Sequence, residues 1–229
     1  GTPLSYSAGP IDISGGNRTA SFDGSVNSVA SRTLSGNQTG DFYFSFLLQF
    51  NGTADATNRF FLLGFNGRTT SNSTAESPGV GAAINNTGGD DFLIRQNIEN
   101  GGGGSTSGGG TMSANATYFM VGKLVKNIGT SRYDHIDLWI NPSTDTEPAA
   151  TMNATFTDGA ALASTVTGIR FRTSSVTGGN PYRFDELRIG TTWSDVVVVP
   201  EPGSVALLCC GAVGWWLVGR RSRTVAAAS

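Results

Sequence analysis

Apolar residues alternate strictly with mixed residues in one ten-residue segment, "DFYFSFLLQF". Every second position of this segment is apolar: Phe42, Phe44, Phe46, Leu48 and Phe50. Side chains two residues apart project from the same face of a β-strand. The pattern therefore predicts a strand with one fully apolar face. The intervening positions are only half polar, which predicts that the other face is partly covered or lines a groove.

Further segments have the apolar and β-branched content of strands, and Gly, Asn, Ser and Thr separate them as turn residues do. These segments are 19–24, 29–34, 58–65, 79–84, 90–96, 117–125, 135–140, 167–173 and 182–190. Many short strands with such separators favour an antiparallel sandwich or barrel. The segment 100–110, "NGGGGSTSGGG", predicts a flexible loop between adjacent strands.

Composition supports a single all-β domain over residues 1–197. The chain has 32 Gly among 229 residues, and the Ala, Leu, Glu and Lys content that long helices need is missing before residue 199. Acidic residues outnumber basic ones in the same range, which predicts no basic patch and no nucleic-acid partner. Both cysteines, Cys209 and Cys210, lie near the C-terminus, so the domain has neither a disulfide nor a thiolate metal site.

The sequence lacks the residue patterns of hydrolases. A retaining glycosidase needs two carboxyl groups about 5 Å apart in one cleft. Asp134 and Asp137 are an odd number of residues apart, and Asp185 and Glu186 are adjacent, so the members of each pair point to opposite faces of a strand. His135 is the only histidine, which argues against a Ser-His-Asp triad and against an ordinary zinc site. We therefore expect no catalytic residues and no enzymatic activity.

A few residues are candidates for ligand or metal binding. Trp139, with Asp137 on the same face of its strand, and Tyr43 are the candidates for a sugar-binding platform, since aromatic side chains combine apolar area with a polar group. Packing in the core or at the rim is the alternative for the two aromatics. Asp90 and Asp91 follow a glycine turn and are candidate calcium ligands, with an ordinary turn as the alternative. No other cofactor is expected.

Residues 198–229 have the pattern of a membrane anchor. The 18 uncharged residues between Glu201 and Arg220 would span about 27 Å as a helix, close to the roughly 30 Å hydrocarbon core. Interfacial tryptophans and a terminal arginine cluster predict that the arginine end is cytoplasmic and the preceding domain lies outside. The expected anchor residues are Val205, Leu207, Leu208, Trp215, Trp216, Leu217, Arg220, Arg221 and Arg223.

The order of motifs in this tail, a Val-Pro-Glu-Pro sequence, an apolar helix and an arginine cluster, resembles the PEP-CTERM sorting signal of Gram-negative bacteria. The resemblance implies that an exosortase recognises Pro200, Glu201 and Pro202. This membrane enzyme removes the helix and passes the domain from the inner membrane to the cell surface or extracellular matrix. Such proteins accompany exopolysaccharide and biofilm production. The sequence starts with GTPLSYSAG, without a signal-peptide pattern, so we expect an export signal to have been removed or to precede it.

Three segments of the main domain together resemble the laminin-G-like and concanavalin-A-like jelly rolls of bacterial surface proteins. They are "YFMVGKLVKN" (118–127), "DHIDLWINPS" (134–143) and "RFDELRIGTTWSDVV" (183–197). The resemblance implies two curved antiparallel sheets packed face to face, with a structural role for the Asp-Glu pair at 185–186. Because this fold hosts many functions, function must come from a site.

The resulting hypothesis is an exported, non-enzymatic surface or matrix protein that binds glycan. It consists of a jelly-roll domain at 1–197 and a sorting signal at 198–229. Two alternatives stay open: a divergent carbohydrate-active enzyme, glycosidase or lyase, on the same fold, and a purely structural adhesion module.

Overall fold

The computed structural model describes residues 2–16, 19–22, 28–53, 59–66, 79–84, 89–95, 105–156, 163–174, 176 and 181–197. Over these residues the chain forms fourteen strands and one helical turn. The elements are β1 (Ser5–Ala8), β2 (Ile11–Ser14), β3 (Ala20–Phe22), β4 (Ser28–Gln38), β5 (Phe42–Phe50), β6 (Arg59–Asn66), β7 (Gly79–Ile84), β8 (Phe92–Arg95), β9 (Ser105–Gly108), β10 (Thr117–Asn127), β11 (Arg132–Ile140), β12 (Met152–Thr155), β13 (Val166–Ser174), β14 (Tyr182–Gly190) and α1 (Trp193–Val196).

The strands form two six-stranded sheets and a separate hairpin. The first sheet has the order β12-β11-β10-β5-β14-β3, and the second has the order β4-β13-β6-β7-β8-β9. Strands β1 and β2 pair only with each other, and every paired strand is antiparallel to its neighbour. The predicted all-β antiparallel sandwich is thus confirmed, and the two-sheet arrangement fits a jelly roll.

The main core lies between the two sheets and is rich in aromatic rings. The alternating apolar residues of β5 face this core, as their spacing predicts, and all five are fully buried. The rings of Phe44 and Phe65, one from each sheet, have centroids 4.5 Å apart. Aromatic pairs in this range add about 0.5–1.5 kcal/mol to the stability gained from burial. The two sheets are therefore joined by ring contacts along β5 and β6.

A second hydrophobic cluster covers the outer face of the first sheet. The hairpin β1–β2 contributes Ile11 and Ile13 to it, and α1 contributes Trp193 and Val196. The Ser45 hydroxyl of β5 donates a hydrogen bond of 2.8 Å to the carbonyl oxygen of Val196. This covering accounts for the half-polar composition of the second face of β5. Of the two predicted alternatives, a partly covered face or one that lines a groove, the structure shows the covered face.

The ten predicted strands all coincide with observed strands, but four short strands were not predicted. These are β1, β2, β9 and β12. The loop predicted over 100–110 is wrong in part, because residues 105–108 form β9, "STSG", which pairs with β8. Residues 100–104 lie outside the described residues. This edge strand has no apolar residue, so its hydrophobic pattern gives no signal and its pairing rests on backbone hydrogen bonds.

The predicted sorting motif and anchor, from Pro200 to Arg223, lie outside the described residues and stay a prediction. Within the described ranges, no helix has the length and apolar character needed to cross a membrane.

Candidate functional site

The outer face of the second sheet carries an unusual pair of arginines. In "GIRFRT", Ile169 and Phe171 pack on the main core. Because side chains alternate along a strand, Arg170 and Arg172 project from the opposite face of β13. Two positive charges therefore stand on the face of the sandwich that lies away from the core.

Register across the sheet places glycines beside these arginines. Arg170 pairs with Gly64 of β6, Gly64 pairs with Gly79 of β7, and Gly79 pairs with Arg95 of β8. The strand between Arg95 and β6 therefore has no side chain at this level. A Cβ atom at Gly79 would overlap the carbonyl oxygen of Leu63 in β6, so this position requires glycine.

Two of the arginines converge on a single aromatic ring. The guanidinium carbon of Arg95 lies 5.3 Å from the centroid of Phe60, and that of Arg172 lies 5.1 Å from it. Both distances are within the roughly 6 Å range of a cation–π contact, which contributes about 0.5–1 kcal/mol at an exposed site. The half-buried ring of Phe60 holds two planar groups of N–H donors. We call Phe60, Arg95, Arg170 and Arg172 the arginine face.

Arg170 is the most unusual member of the arginine face because its guanidinium is buried. The residue is 3 % exposed, and its Nε and Nη2 atoms have no hydrogen-bond partner. An unpaired buried polar group costs about 1–3 kcal/mol, and a charged group costs more. Such a group in a folded protein calls for an explanation, such as an ion or ligand that completes it. The arrangement is suited to receiving an anionic oxygen.

Groups suited to proton transfer are concentrated elsewhere in the fold. The chain has five Tyr, two Lys and one His. All eight lie on β1 or on strands of the first sheet: Tyr6, Tyr43, Tyr118, Lys123, Lys126, Tyr133, His135 and Tyr182. The arginine face thus offers cationic hydrogen-bond donors, and the phenol, amine and imidazole groups are on the first sheet or on the hairpin.

The predicted sugar platform is buried. Trp139 and Tyr43 are 2 % and 7 % exposed and belong to the second hydrophobic cluster with Trp193. The rings of Trp139 and Tyr43 are stacked with centroids 6.5 Å apart, and Trp139 Nε1 donates to the carbonyl oxygen of Pro148 at 2.9 Å. The structure therefore shows the packing alternative for these two aromatics, and a role for them in ligand binding stays a prediction.

Polar side chains lie at the edge of this aromatic cluster, next to Tyr43. The Tyr43 hydroxyl donates to Glu147 at 2.6 Å, and Lys123 Nζ lies 3.6 Å from the same carboxylate and 5.0 Å from the Tyr43 ring centroid. Burial, and then the hydrogen bond to Glu147, raise the pKa of Tyr43 above 10.0. Tyr43 therefore remains a neutral donor that ties the segment containing Glu147 to the first sheet.

Asp137, the third residue of the predicted platform, lies beside His135 on β11. Its Oδ1 atom is 3.0 Å from Nε2 of His135, and Nδ1 of that histidine is 2.8 Å from the Thr155 hydroxyl. Both side chains are partly exposed. The structure keeps Asp137, Trp139 and Tyr43 on the same sheet, but only Asp137 is open to solvent.

The predicted calcium ligands bind backbone groups of a neighbouring turn. Asp90 Oδ1 accepts a hydrogen bond of 2.9 Å from the N–H of Gly110, and Asp91 Oδ2 accepts one of 2.6 Å from the N–H of Met112. Across the part of the chain that is described, no group of three or more His, Cys, Asp or Glu residues could hold a metal. A calcium ion at Asp90 and Asp91 stays a prediction.

The arginine face was missed by sequence reasoning, which considered net charge and not how charges cluster in space. The expectation that the domain has no basic patch and no nucleic-acid partner stays a prediction. One local signal was available, since the Arg-x-Arg spacing in "GIRFRT" places Arg170 and Arg172 on one face. Arg95 and Phe60 come from separate strands, so only the sheet order brings them to Arg172.

The domain is an antiparallel sandwich of two sheets that fits a jelly roll, and solved structures share this fold. An endo-β-1,4-glucuronan lyase from the fungus Trichoderma reesei aligns with a TM-score of 0.51 at 13 % identity, over 86 % of this chain and 90 % of the lyase. A mutant alginate lyase in complex with alginate tetrasaccharide aligns with a TM-score of 0.51 at 14 % identity, over 80 % and 84 % of the two chains. The carbohydrate-binding module CBM66 from Bacillus subtilis has a TM-score of 0.46 at 11 % identity, over 75 % and 86 %. No protein-family model and no curated protein sequence matches this chain.

These neighbours contradict the expectation that the chain is not an enzyme. Two polysaccharide lyases have its fold. The lack of a carboxylate pair argues only against glycoside hydrolysis, in which one carboxyl group acts as an acid and the other as a nucleophile or base. A lyase eliminates a sugar from a uronic acid instead, and this reaction needs a cation near the acid and a group that removes a carbon-bound proton. The absence of hydrolase motifs is therefore no ground for excluding catalysis.

Proposed function

We propose that the sandwich domain binds polysaccharide through the arginine face and that the C-terminal signal delivers it to the cell surface or extracellular matrix. The observation that carries the binding proposal is the convergence of Arg95 and Arg172 on Phe60. Sugars present hydroxyl and carboxylate oxygens along an extended chain. Planar guanidinium groups fixed on an aromatic ring supply donors to such oxygens with little loss of side-chain freedom.

The named substrates of the two lyases support the same choice of ligand class. Glucuronan and alginate are both polysaccharides, and both carry carboxylates. Because these proteins share only the fold with this chain, the likeness supports a carbohydrate ligand and leaves its identity to experiment. An exopolysaccharide of the surrounding matrix is the natural candidate for a domain with this sorting signal.

A binding experiment with the full-length chain tests the site. Affinity for alginate, glucuronan and a neutral glucan is measured by calorimetry for the wild type and for Phe60→Ala, Arg95→Ala and Arg188→Ala. Arg188 lies on β14 of the first sheet and pairs with Glu186 at 3.2 Å, so its variant is a matched control. We expect Phe60→Ala and Arg95→Ala to weaken binding about tenfold or more, with Arg188→Ala unchanged.

Two results would reject the proposed site. The wild type could bind none of the polysaccharides, or Arg188→Ala could weaken binding as much as Arg95→Ala does. The same mixtures are monitored for the ultraviolet absorbance of unsaturated uronic acids, the product of a lyase. Growth of this absorbance would make the bound polysaccharide a substrate.

Delivery by the sorting signal has a separate test. We infer that an exosortase cuts near Pro200, Glu201 and Pro202, because prolines keep the preceding residues extended and accessible at the membrane. The mass of the protein from the surface and medium of its native cells is compared with that of the Pro200→Ala, Glu201→Ala, Pro202→Ala triple variant. A wild-type product ending near residue 200, with the variant uncut in the membrane, supports the proposal. A wild-type protein that still ends at Ser229 contradicts it.

A further inference from the structure

We propose that Arg170 is a carboxylate receptor, so that the polysaccharide bound by the arginine face is an acidic one whose uronate carboxylate pairs with the Nε–Nη2 edge of Arg170. This inference rests on the proposed function and adds the chemical class of the ligand. Two nitrogen atoms of the Arg170 guanidinium group lack hydrogen-bond partners. Nε and Nη2 are both unpaired and both enclosed.

Those two nitrogens form one edge of the guanidinium group. Their N–H bonds run nearly parallel, at the spacing of the two oxygens of a carboxylate, and this match produces the bidentate arginine–carboxylate pair. A sugar hydroxyl has a single oxygen and leaves one of the two donors unpaired. The unpaired edge therefore selects a carboxylate over the hydroxyl groups of a neutral sugar.

Burial strengthens this selection. Arg170 is 3 % exposed, and a charge away from water attracts an opposite charge more strongly than it would at the surface. The neighbouring positions of the sheet, Gly64 of β6 and Ser31 of β4, carry no carboxylate. Because both nitrogens are closed to solvent, the side chains that enclose them must shift when the ligand enters.

The neighbouring residues suit the rest of the sugar. Arg172 lies two positions along the same strand face, and its guanidinium group is held on Phe60. Arg95 reaches the same ring from β8. A uronate held at Arg170 would thus have the adjacent units of its chain beside an aromatic ring and two further cations. A carboxylate on each unit makes the polymer complementary to all three arginines.

The decisive variant is Arg170→Met, which removes the charge but keeps most of the side-chain volume. If Arg170 serves a ligand, the free protein gains or keeps stability when an unpaired buried charge is replaced by an apolar group. We expect the melting temperature of Arg170→Met to equal or exceed that of the wild type, and its affinity for oligouronates to fall about tenfold or more. Arg32→Met, on exposed β4, is the matched control and should change neither property.

The choice of polymer separates this inference from the proposed function. Full-length wild-type protein is titrated with alginate, with glucuronan and with carboxyl-reduced forms of both. Tight binding to the acidic polymers and weak binding to the reduced ones is the expected result. Equal affinity for the reduced polymers overturns the carboxylate inference and leaves polysaccharide binding intact. Failure to bind any of the four rejects the proposed function itself.

A spectroscopic signature tests the contact directly in the wild-type protein. In a ¹⁵N-labelled protein, the Nε–H resonance of Arg170, assigned with Arg170→Lys, should move strongly on addition of an oligouronate, because that proton enters a charge-assisted hydrogen bond. No movement of this resonance under saturating ligand overturns the inference. A melting temperature of Arg170→Met well below that of the wild type, with unchanged affinity, also overturns it by making Arg170 structural.

Discussion

Gly122 of β10 lies directly opposite Phe44 of β5, and the phenyl ring of Phe44 fills the space where a side chain at Gly122 would be. A Cβ atom at Gly122 would lie only 2.1 Å from Cζ of Phe44. The ring also contacts Phe65 of the second sheet. The absence of a side chain at Gly122 therefore leaves room for the Phe44 ring, which contacts the second sheet.

Replacing this glycine is expected to destabilise the fold. Gly122→Ala forces the Phe44 ring out of its site, and overpacking of this kind costs about 1–3 kcal/mol. Gly36→Ala is the control, because a Cβ atom there meets nothing within 4 Å. The free energy of unfolding is measured by denaturant titration of both variants. Equal free energies of unfolding for the two variants would show that the Phe44 ring can move without loss of stability.

The alkaline stability of the protein should depend on Tyr133. Burial, and then the negative charge of Asp41, raise the pKa of Tyr133 from 10.0 to about 12. The folded state therefore holds the phenolic proton more tightly than the unfolded state does. The resulting stability is complete below pH 10.0 and is lost as the pH rises towards 12.

Tyr133→Phe tests this dependence. The variant loses the hydrogen bond from the tyrosine hydroxyl to the Gly40 carbonyl oxygen, 2.7 Å long, which costs about 0.5–1.5 kcal/mol at neutral pH. Its stability should fall less than that of the wild type between pH 10 and 12. Unfolding titrations at a series of alkaline pH values measure both effects. If the wild type and Tyr133→Phe lose the same stability as the pH rises, Tyr133 does not contribute to the alkaline loss of stability.

The acid stability of α1 should depend on Asp195. Its carboxylate accepts hydrogen bonds from the backbone N–H groups of Thr192, at 2.8 Å, and Thr191, at 2.9 Å. The hydrogen bonds from Thr192, and then those from Thr191, lower the pKa of Asp195 below 3.8. Its contribution to stability is thus present above pH 3.8 and is lost as the pH falls through the lower, folded-state pKa.

Asp195→Asn keeps an acceptor oxygen but has no charge to titrate. The wild type should melt at a higher temperature than this variant at neutral pH, and the difference should shrink below pH 3.8. Thermal melts followed by tryptophan fluorescence are suitable, since Trp193 lies in the same helical turn. A difference that is independent of pH would assign the effect of the substitution to packing.

Chemical modification should separate the two faces of the sandwich. The only two lysines, Lys123 and Lys126, lie on β10 of the first sheet, and the arginine face lies on the second. Attachment to a solid support through lysine amines should therefore leave polysaccharide binding unchanged. Phenylglyoxal, which modifies arginine, should abolish it. Loss of binding after lysine attachment alone would place the ligand on the first sheet.

Attachment at Val197, the end of the described domain, should leave the arginine face open in the same way. Val196 accepts the hydrogen bond from Ser45, and Val197 is buried in the second hydrophobic cluster. The described chain therefore ends on the outer face of the first sheet, on the opposite side of the sandwich from the arginine face. Binding of a surface-tethered protein should match that of the free protein in a biosensor measurement. A large loss on tethering would contradict this placement.

Features that depend on local spacing could be predicted from the amino-acid sequence. The period of two in "DFYFSFLLQF" predicts the apolar face of β5, because alternation along a strand follows from backbone geometry alone. The same spacing in "GIRFRT" separates Arg170 from its core-facing neighbours. The motif order of the tail likewise predicts its role as a sorting signal, which stays a prediction.

The order of strands in each sheet, and with it the candidate site, could not be predicted from local spacing. Phe60, Arg95 and Arg172 are distant in the chain and meet because β13, β6, β7 and β8 are adjacent in the second sheet. Strand order depends on long-range pairing and core packing, which a local pattern does not encode. Burial of Trp139 and Tyr43 has the same origin, since the hairpin and α1 that cover them come from the two ends of the domain. Local periodicity sets the face on which a side chain lies, and packing between distant segments decides whether that face is core, cover or binding surface.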